Sequence, residues 1–184
     1  MRVERLRQAF EIDIVHRHFP LHPDTPQAGL TLEQLFAGRN IDIPAAQTQM
    51  TRLMSDEGLP YGERTMTYNS RLAQELAKWA ESQPAGEKIH SALFRAYFVD
   101  NQNLAIVDNL LAITERVGLS VTDAQVALEE RRFRKAVDDD WQRSRKLGVT
   151  GVPTFVVGEQ GVVGAHPYEV LEQLVLDAGA VARA

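Results

Sequence analysis

Cysteine is missing altogether from the 184-residue sequence. Its absence excludes disulfides, thiolate metal sites and cysteine nucleophiles within this chain. A basic surplus is also missing: 20 Lys and Arg stand against 25 Asp and Glu, for a net charge of -5. Neutralising a phosphate backbone takes a clustered basic surface, so no nucleic-acid partner is expected. The densest basic stretch, Arg131, Arg132, Arg134 and Lys135, lies between Glu129-Glu130 and Asp138 to Asp140. Mixed signs at that density read as a solvated helix face. No apolar run approaches the ~18–20 residues that span a bilayer, so no membrane partner is expected. Met1 to Leu6 form no apolar signal core, which makes the cytoplasm the expected location. The sequence holds no G-x-S-x-G, no P-loop and no G-x-G-x-x-G.

The composition that remains, 44% hydrophobic and 24% charged, is that of a globular domain of ordinary size. Residues 2–10 are compatible with a helix. From Phe10 to Phe19 the pattern alternates, with Phe10, Ile12 and Ile14 on one parity and Glu11 and Asp13 on the other, which predicts a strand. Pro20, Pro23 and Pro26 then make a stiff loop. Thr31 with Gln34 reads as a capping box for a short helix through Phe36. Further helices are expected over 44–57 behind Pro44, from a cap at Asn69 or Ser70, over 85–99, over 103–117 before Gly118, from Thr122, and over 131–147 before Gly148. Strands follow at 153–157 and 162–163 around a turn at Gly158 to Gly161. A last helix begins at Pro167, with Val170, Leu171, Leu174 and Val175 turned inward. The order is strand, helical block, strand, turn, strand, helix: an α/β chain with a helical middle. The block at 31–130 is too long for a simple crossover and reads as an inserted subdomain.

The most telling stretch is Leu147-Gly148-Val149-Thr150-Gly151-Val152-Pro153-Thr154-Phe155-Val156-Val157. A β-rich run that begins Val-Pro-Thr-Phe after a glycine turn resembles the cis-proline loop of thioredoxin-fold proteins. Gly164-Ala165-His166-Pro167-Tyr168-Glu169-Val170 is similar to the end of FrnE-like sequences. His90 to Phe98 is similar to a helix in that branch's insertion, and Phe19-Pro20-Leu21-His22-Pro23 to the loop after its second strand. The sequence therefore resembles the DsbA family in its FrnE-like branch, which is related to 2-hydroxychromene-2-carboxylate isomerases and kappa-class glutathione transferases. The resemblance implies an α/β thioredoxin-like fold, incomplete at the N-terminus, with 1–30 and 131–184 as its thioredoxin-like part and 31–130 as the inserted helical subdomain. It implies a substrate-binding loop at Gly151, Val152, Pro153 and Thr154, and a groove to which Phe19, His22, Phe94 and Phe98 contribute. The substrate class is an extended peptide or a small thiol or polyketide-like molecule. Glutathione is the one cofactor the kinship would admit.

Members of that family place a Cys-x-x-Cys, or a Cys/Ser variant, at the start of the first helix, where amide N–H groups and the helix dipole lower a thiol pKa. Here residues 2–10 resemble the later part of that helix, so the first strand and the nucleophile are both absent. No catalytic residue is assigned, and whether the chain is an enzyme stays open. Either a complete protein carries the motif upstream of Met1, or the chain is a degenerate member that binds without redox chemistry. The missing strand would leave unpaired edges on the strands at 11–19 and 153–157. Direct pairing of the two, or a strand from another subunit in a homodimer, is the expected remedy.

Other constellations carry less. His16 and His18 share one face of the expected strand and could begin a metal site, but no third ligand is placed, so no metal is assigned. Asp138, Asp139 and Asp140 are consecutive on a helix and point in different directions, so they do not converge. The alternatives to a redox-inactive DsbA-like protein are a glutathione-dependent isomerase or transferase of the kappa-like group, and a non-catalytic peptide-binding module.

Overall fold

The computed structural model describes residues 2–183; Met1 and Ala184 lie outside the described residues. The chain divides into two compact units, one of Met1–Leu21 with Asp139–Ala184 and one of His22–Asp138. No helix is long and apolar enough to cross a membrane.

The His22–Asp138 unit is mostly helical. Its two short strands, β1 (Leu30–Thr31) and β2 (Met66–Thr67), pair antiparallel. Thr31 caps α2 (Leu32–Leu35): its hydroxyl accepts from the Gln34 N–H at 3.1 Å, and the Gln34 side chain accepts from the Thr31 N–H at 2.9 Å. Asp42 caps α3 (Ile43–Asp56), ahead of Pro44 in the first turn. The helices α4 (Arg71–Glu81), α5 (Lys88–Phe98), α6 (Val107–Arg116) and α7 (Val121–Glu129) enclose a core in which Leu76, Ile89, Leu110 and Ile113 are fully buried. Each such side chain contributes roughly 1.5–3 kcal/mol through burial. The α7 helix begins one residue earlier than Thr122 suggests, because the Ser120 hydroxyl accepts the Asp123 N–H at 3.2 Å. Beyond α7, Arg131 takes a left-handed backbone (φ 53°). From there its guanidinium grips buried Glu75 with two bonds of 2.7 Å, and Arg71 adds a third at 2.6 Å.

The boundary between units falls within α8 (Arg134–Lys146). The other unit contains α1 (Arg2–Ala9), the antiparallel hairpin of β3 (Thr154–Val157) and β4 (Gln160–Val163), and α9 (Tyr168–Asp177). Its core joins Leu6 and Phe10 to Leu171 and Val175, with Ile12, Phe155, Val157 and Val162 packed around them. Leu174 is buried as its spacing predicts, whereas Val170 is 37% exposed and does not turn inward.

Two expectations fail here. Residues 11–19 have no regular secondary structure: Ile12 and Ile14 are half-buried and Glu11 and Asp13 exposed, yet they form no strand. Among the described residues β3 pairs with β4 and with no second strand, so the direct pairing of 11–19 with 153–157 is absent. The reason is competition for backbone partners. The Glu11 N–H donates to Val181 O at 2.8 Å, Arg183 N–H donates to Ala9 O at 2.8 Å, and Phe10 bridges Ala182. Alternation sets which side chains are buried; a ladder also needs a neighbour at the right distance. Ile12 and Phe155 still meet in one core, through side chains rather than a ladder.

Candidate functional site

Gly148 ends α8 with a left-handed backbone (φ 67°) and an N–H that donates to Arg145 O at 3.0 Å. The chain then runs through Gly151 to the Val152–Pro153 peptide bond, which is cis. Two bonds hold this loop. The Thr154 hydroxyl donates to Gly151 O at 2.7 Å, closing a small ring around the cis bond. The Gly164 N–H donates to Pro153 O at 2.8 Å, tying the loop to the end of β4. The loop side chains stand clear of the core: Val152 is half exposed and Pro153 is exposed. No atom lies within 4 Å of the place a Cβ would take at Gly151. Phe155, one residue into β3, turns the other way and packs into the core. The four residues Gly151, Val152, Pro153 and Thr154 thus form one rigid, accessible backbone corner. No side chain among them is a nucleophile of useful strength, since a threonine hydroxyl needs a neighbouring base.

The residues expected to form a groove do not all belong to one unit. Phe19 is half-buried in the unit that holds the loop. His22, Phe94 and Phe98 belong to the helical unit, where the Phe94 and Phe98 rings stack at 6.1 Å. Phe94 is 61% exposed. The His22 imidazole is held below its ordinary pKa by burial first and then by the charges of Arg39 and Arg64, which favours its neutral form.

Sequence reasoning missed Arg64. Its guanidinium lies 4.5 Å from the Tyr97 ring centroid and 5.2 Å from that of Phe98, and it donates to the Tyr97 hydroxyl at 2.7 Å. The Tyr97 hydroxyl is also 3.0 Å from the Thr67 hydroxyl. Arg64 and Tyr97 are 33 positions apart, and residues 60–65 follow neither period, so no local signal marks the pair.

His16 and His18 lie in a segment without regular structure rather than on a strand, which removes the argument that placed their rings on one face. The three aspartates diverge as their spacing requires. Asp138 pairs with Arg71 at 2.8 Å, while Asp140 is buried and pairs with Arg17 at 3.1 Å.

A proline-headed hairpin, a closing helix and a helical block between two terminal segments define the thioredoxin class of fold with a helical insert. Residues 1–175 match the DSBA-like thioredoxin domain, and the chain belongs to that family. It is similar to YwbO, an uncharacterized protein of Bacillus subtilis, at 30% identity over 110 residues, which is 58% of this chain and 54% of that one. Two curated relatives are matched over only 54% and 39% of their own lengths. Among solved structures, one described as a probable DsbA oxidoreductase from Streptomyces coelicolor superposes with a TM-score of 0.86 at 26% identity, over 96% of this chain and 81% of that one. A 2-hydroxychromene-2-carboxylate isomerase superposes with a TM-score of 0.71 at 16% identity, over 97% of this chain and 85% of that one, a likeness of fold alone. The family's thiol–disulfide exchange proceeds by thiolate attack through a mixed disulfide. With no cysteine, these 184 residues cannot form that intermediate.

Proposed function

We propose that this chain is a redox-inactive, peptide-binding member of the DsbA family, taking an extended peptide along Gly151, Val152, Pro153 and Thr154 by strand addition. The observation that carries this reading is the edge of β3: β4 occupies one side, and among the described residues no strand occupies the other. Unpaired strand N–H and C=O groups recruit an extended chain, with main-chain bonds giving affinity. The exposed backbone corner at Val152 leads directly into that edge, and Phe19 of the same unit is the proposed apolar contact. A cytoplasmic location is part of the proposal and is checked by fractionation. The reading is tested by titrating a β-prone extended peptide and following backbone amide resonances. Val152 and Thr154 to Val157 should shift, and an N-methylated copy of the peptide should not bind. Equal binding of the methylated copy defeats the proposal. Insulin reduction with dithiothreitol should proceed at the background rate.

A second reading, a glutathione-dependent isomerase or transferase, draws support from the fold shared with the chromene-carboxylate isomerase. Glutathione is itself a short peptide, so the Val152 backbone suits its main chain. Bound there, glutathione would supply the thiol this chain lacks. Calorimetry with glutathione separates the readings, since strand addition predicts no preference for it over other tripeptides.

A further inference from the structure

The helical unit carries a cluster of one cation and several rings that the β3-edge reading does not use. Phe94, Tyr97 and Phe98 project from α5, with Tyr97 edge-on to Phe98 at 4.8 Å and Phe94 stacked on it at 6.1 Å. Tyr61 stacks on Phe98 from another segment at 6.5 Å. Over the Tyr97 and Phe98 rings lies the Arg64 guanidinium.

The segment bearing Tyr61 and Arg64 is held on a rigid frame. The Gly62 N–H donates to Phe98 O at 2.8 Å, and a Cβ at Gly62 would stand 2.4 Å from Val99 O, so only glycine permits the approach. The Asn101 side chain donates to Glu63 O at 2.9 Å. The Gln47 amide brackets Arg64, accepting from its N–H at 3.0 Å and donating to its C=O at 2.5 Å.

The charge so placed is uncompensated. Among the described residues Arg64 forms no ion pair with a carboxylate. Tyr97 and Met66 O engage one terminal nitrogen of Arg64, but its Nε–H is buried with no acceptor. Buried donors in folded proteins are almost always satisfied, so the network lacks a component. Guanidinium forks match the planar carboxylate, and exposed rings such as Phe94 favour a flat apolar body over an inorganic ion.

We propose that Arg64 binds the carboxylate of a small aromatic acid whose ring packs against Tyr61, Phe94 and Phe98. This site lies wholly within the helical unit and does not depend on peptide binding at β3.

Phenylacetate is the probe, added to the full chain and followed by calorimetry and by the amide resonances of Gly62 and Arg64. It should bind about tenfold or more tightly than acetate, which lacks the ring, or phenylacetamide, which lacks the charge. Arg64→Ala should weaken binding, but it also removes the Tyr97 bond and can loosen the segment. The deciding variant is Phe94→Ala, at a largely exposed ring, which should cost about tenfold in affinity with no change in thermal stability. No binding, equal affinity for phenylacetamide, or unchanged affinity in Phe94→Ala overturns the proposal.

Discussion

The backbone N–H of His18 donates to Oδ2 of Asp140 at 3.1 Å, joining residues 122 positions apart. The other carboxylate oxygen, Oδ1, accepts from Arg17 at 3.1 Å, and Asp140 is 3% exposed. This is what fixes residues 11–19 in place of a β-ladder. A buried carboxylate satisfied by a backbone amide and a guanidinium anchors the chain to α8 as a neighbouring strand would.

Asp140→Ala should therefore destabilise the protein by about 1–3 kcal/mol, because it strands the His18 N–H and frees residues 11–19. Asp140→Asn keeps an acceptor and should cost less. Arg17→Ala, at a half-exposed side chain, should cost under about 1 kcal/mol. Urea unfolding followed by far-UV circular dichroism ranks the three, and an Arg17→Ala loss as large as that of Asp140→Ala would contradict the assignment.

Glu75 should prove the most sensitive charged residue of the helical unit. It is 2% exposed and held by Arg71 and Arg131. Arg131→Met leaves a buried carboxylate with one partner and should cost about 3–5 kcal/mol. The joint replacement Glu75→Leu with Arg131→Met should recover much of that loss, since no lone buried charge remains. Unfolding midpoints of the single and double variants decide this.

Acid should weaken the same unit. For Glu81, burial raises the carboxyl pKa, but hydrogen bonds and charge from His90 and Lys78 prevail and hold it down to about 2, against an ordinary 4.5. The Glu75 carboxyl is likewise lowered, by Arg131 and Arg71 against the opposing effect of burial. A depressed carboxylate pKa means that the unfolded chain binds more protons. The stabilisation is complete above the ordinary value and is lost as pH falls from 4.5 toward 2. Urea midpoints should fall steadily across that window, and Glu81→Gln should flatten the slope. An identical slope in the variant would remove Glu81 from the account.

Gly86→Ala should be among the most damaging single-methyl changes. A Cβ at Gly86 would stand 1.6 Å from the Ala80 carbonyl oxygen, so the turn between α4 and α5 must open to accept it. Breaking the fully buried Ala80 and Ile89 contacts beside it should cost about 3 kcal/mol or more. A thermal midpoint within a degree or two of wild type would show that the turn moves freely.

Much of the local structure was written in neighbouring residues. Thr31 and Gln34 specified a capping box, Pro44 the opening of α3, and Gly118 and Gly148 the ends of their helices. Three of the four inward positions of α9, Leu171, Leu174 and Val175, followed from a 3.6-residue period. The Val-Pro-Thr-Phe string was enough to point to the loop at Val152. What could not be read was anything that depends on a distant partner. Arg64 meets Tyr97 only after residues 61–64 dock on the end of α5, and neither neighbourhood announces the other.

By itself the sequence determined the helices, the hairpin and the absence of thiol chemistry, because caps, periods and residue type act over a few bonds. Tertiary structure alone decided that residues 11–19 hold to Asp140 instead of entering a sheet, and that the chain's end, not its proline-headed strand, pairs with Glu11. Strand pairing is a contest among backbone groups far apart in sequence, and only the folded chain fixes which of them come within bonding distance.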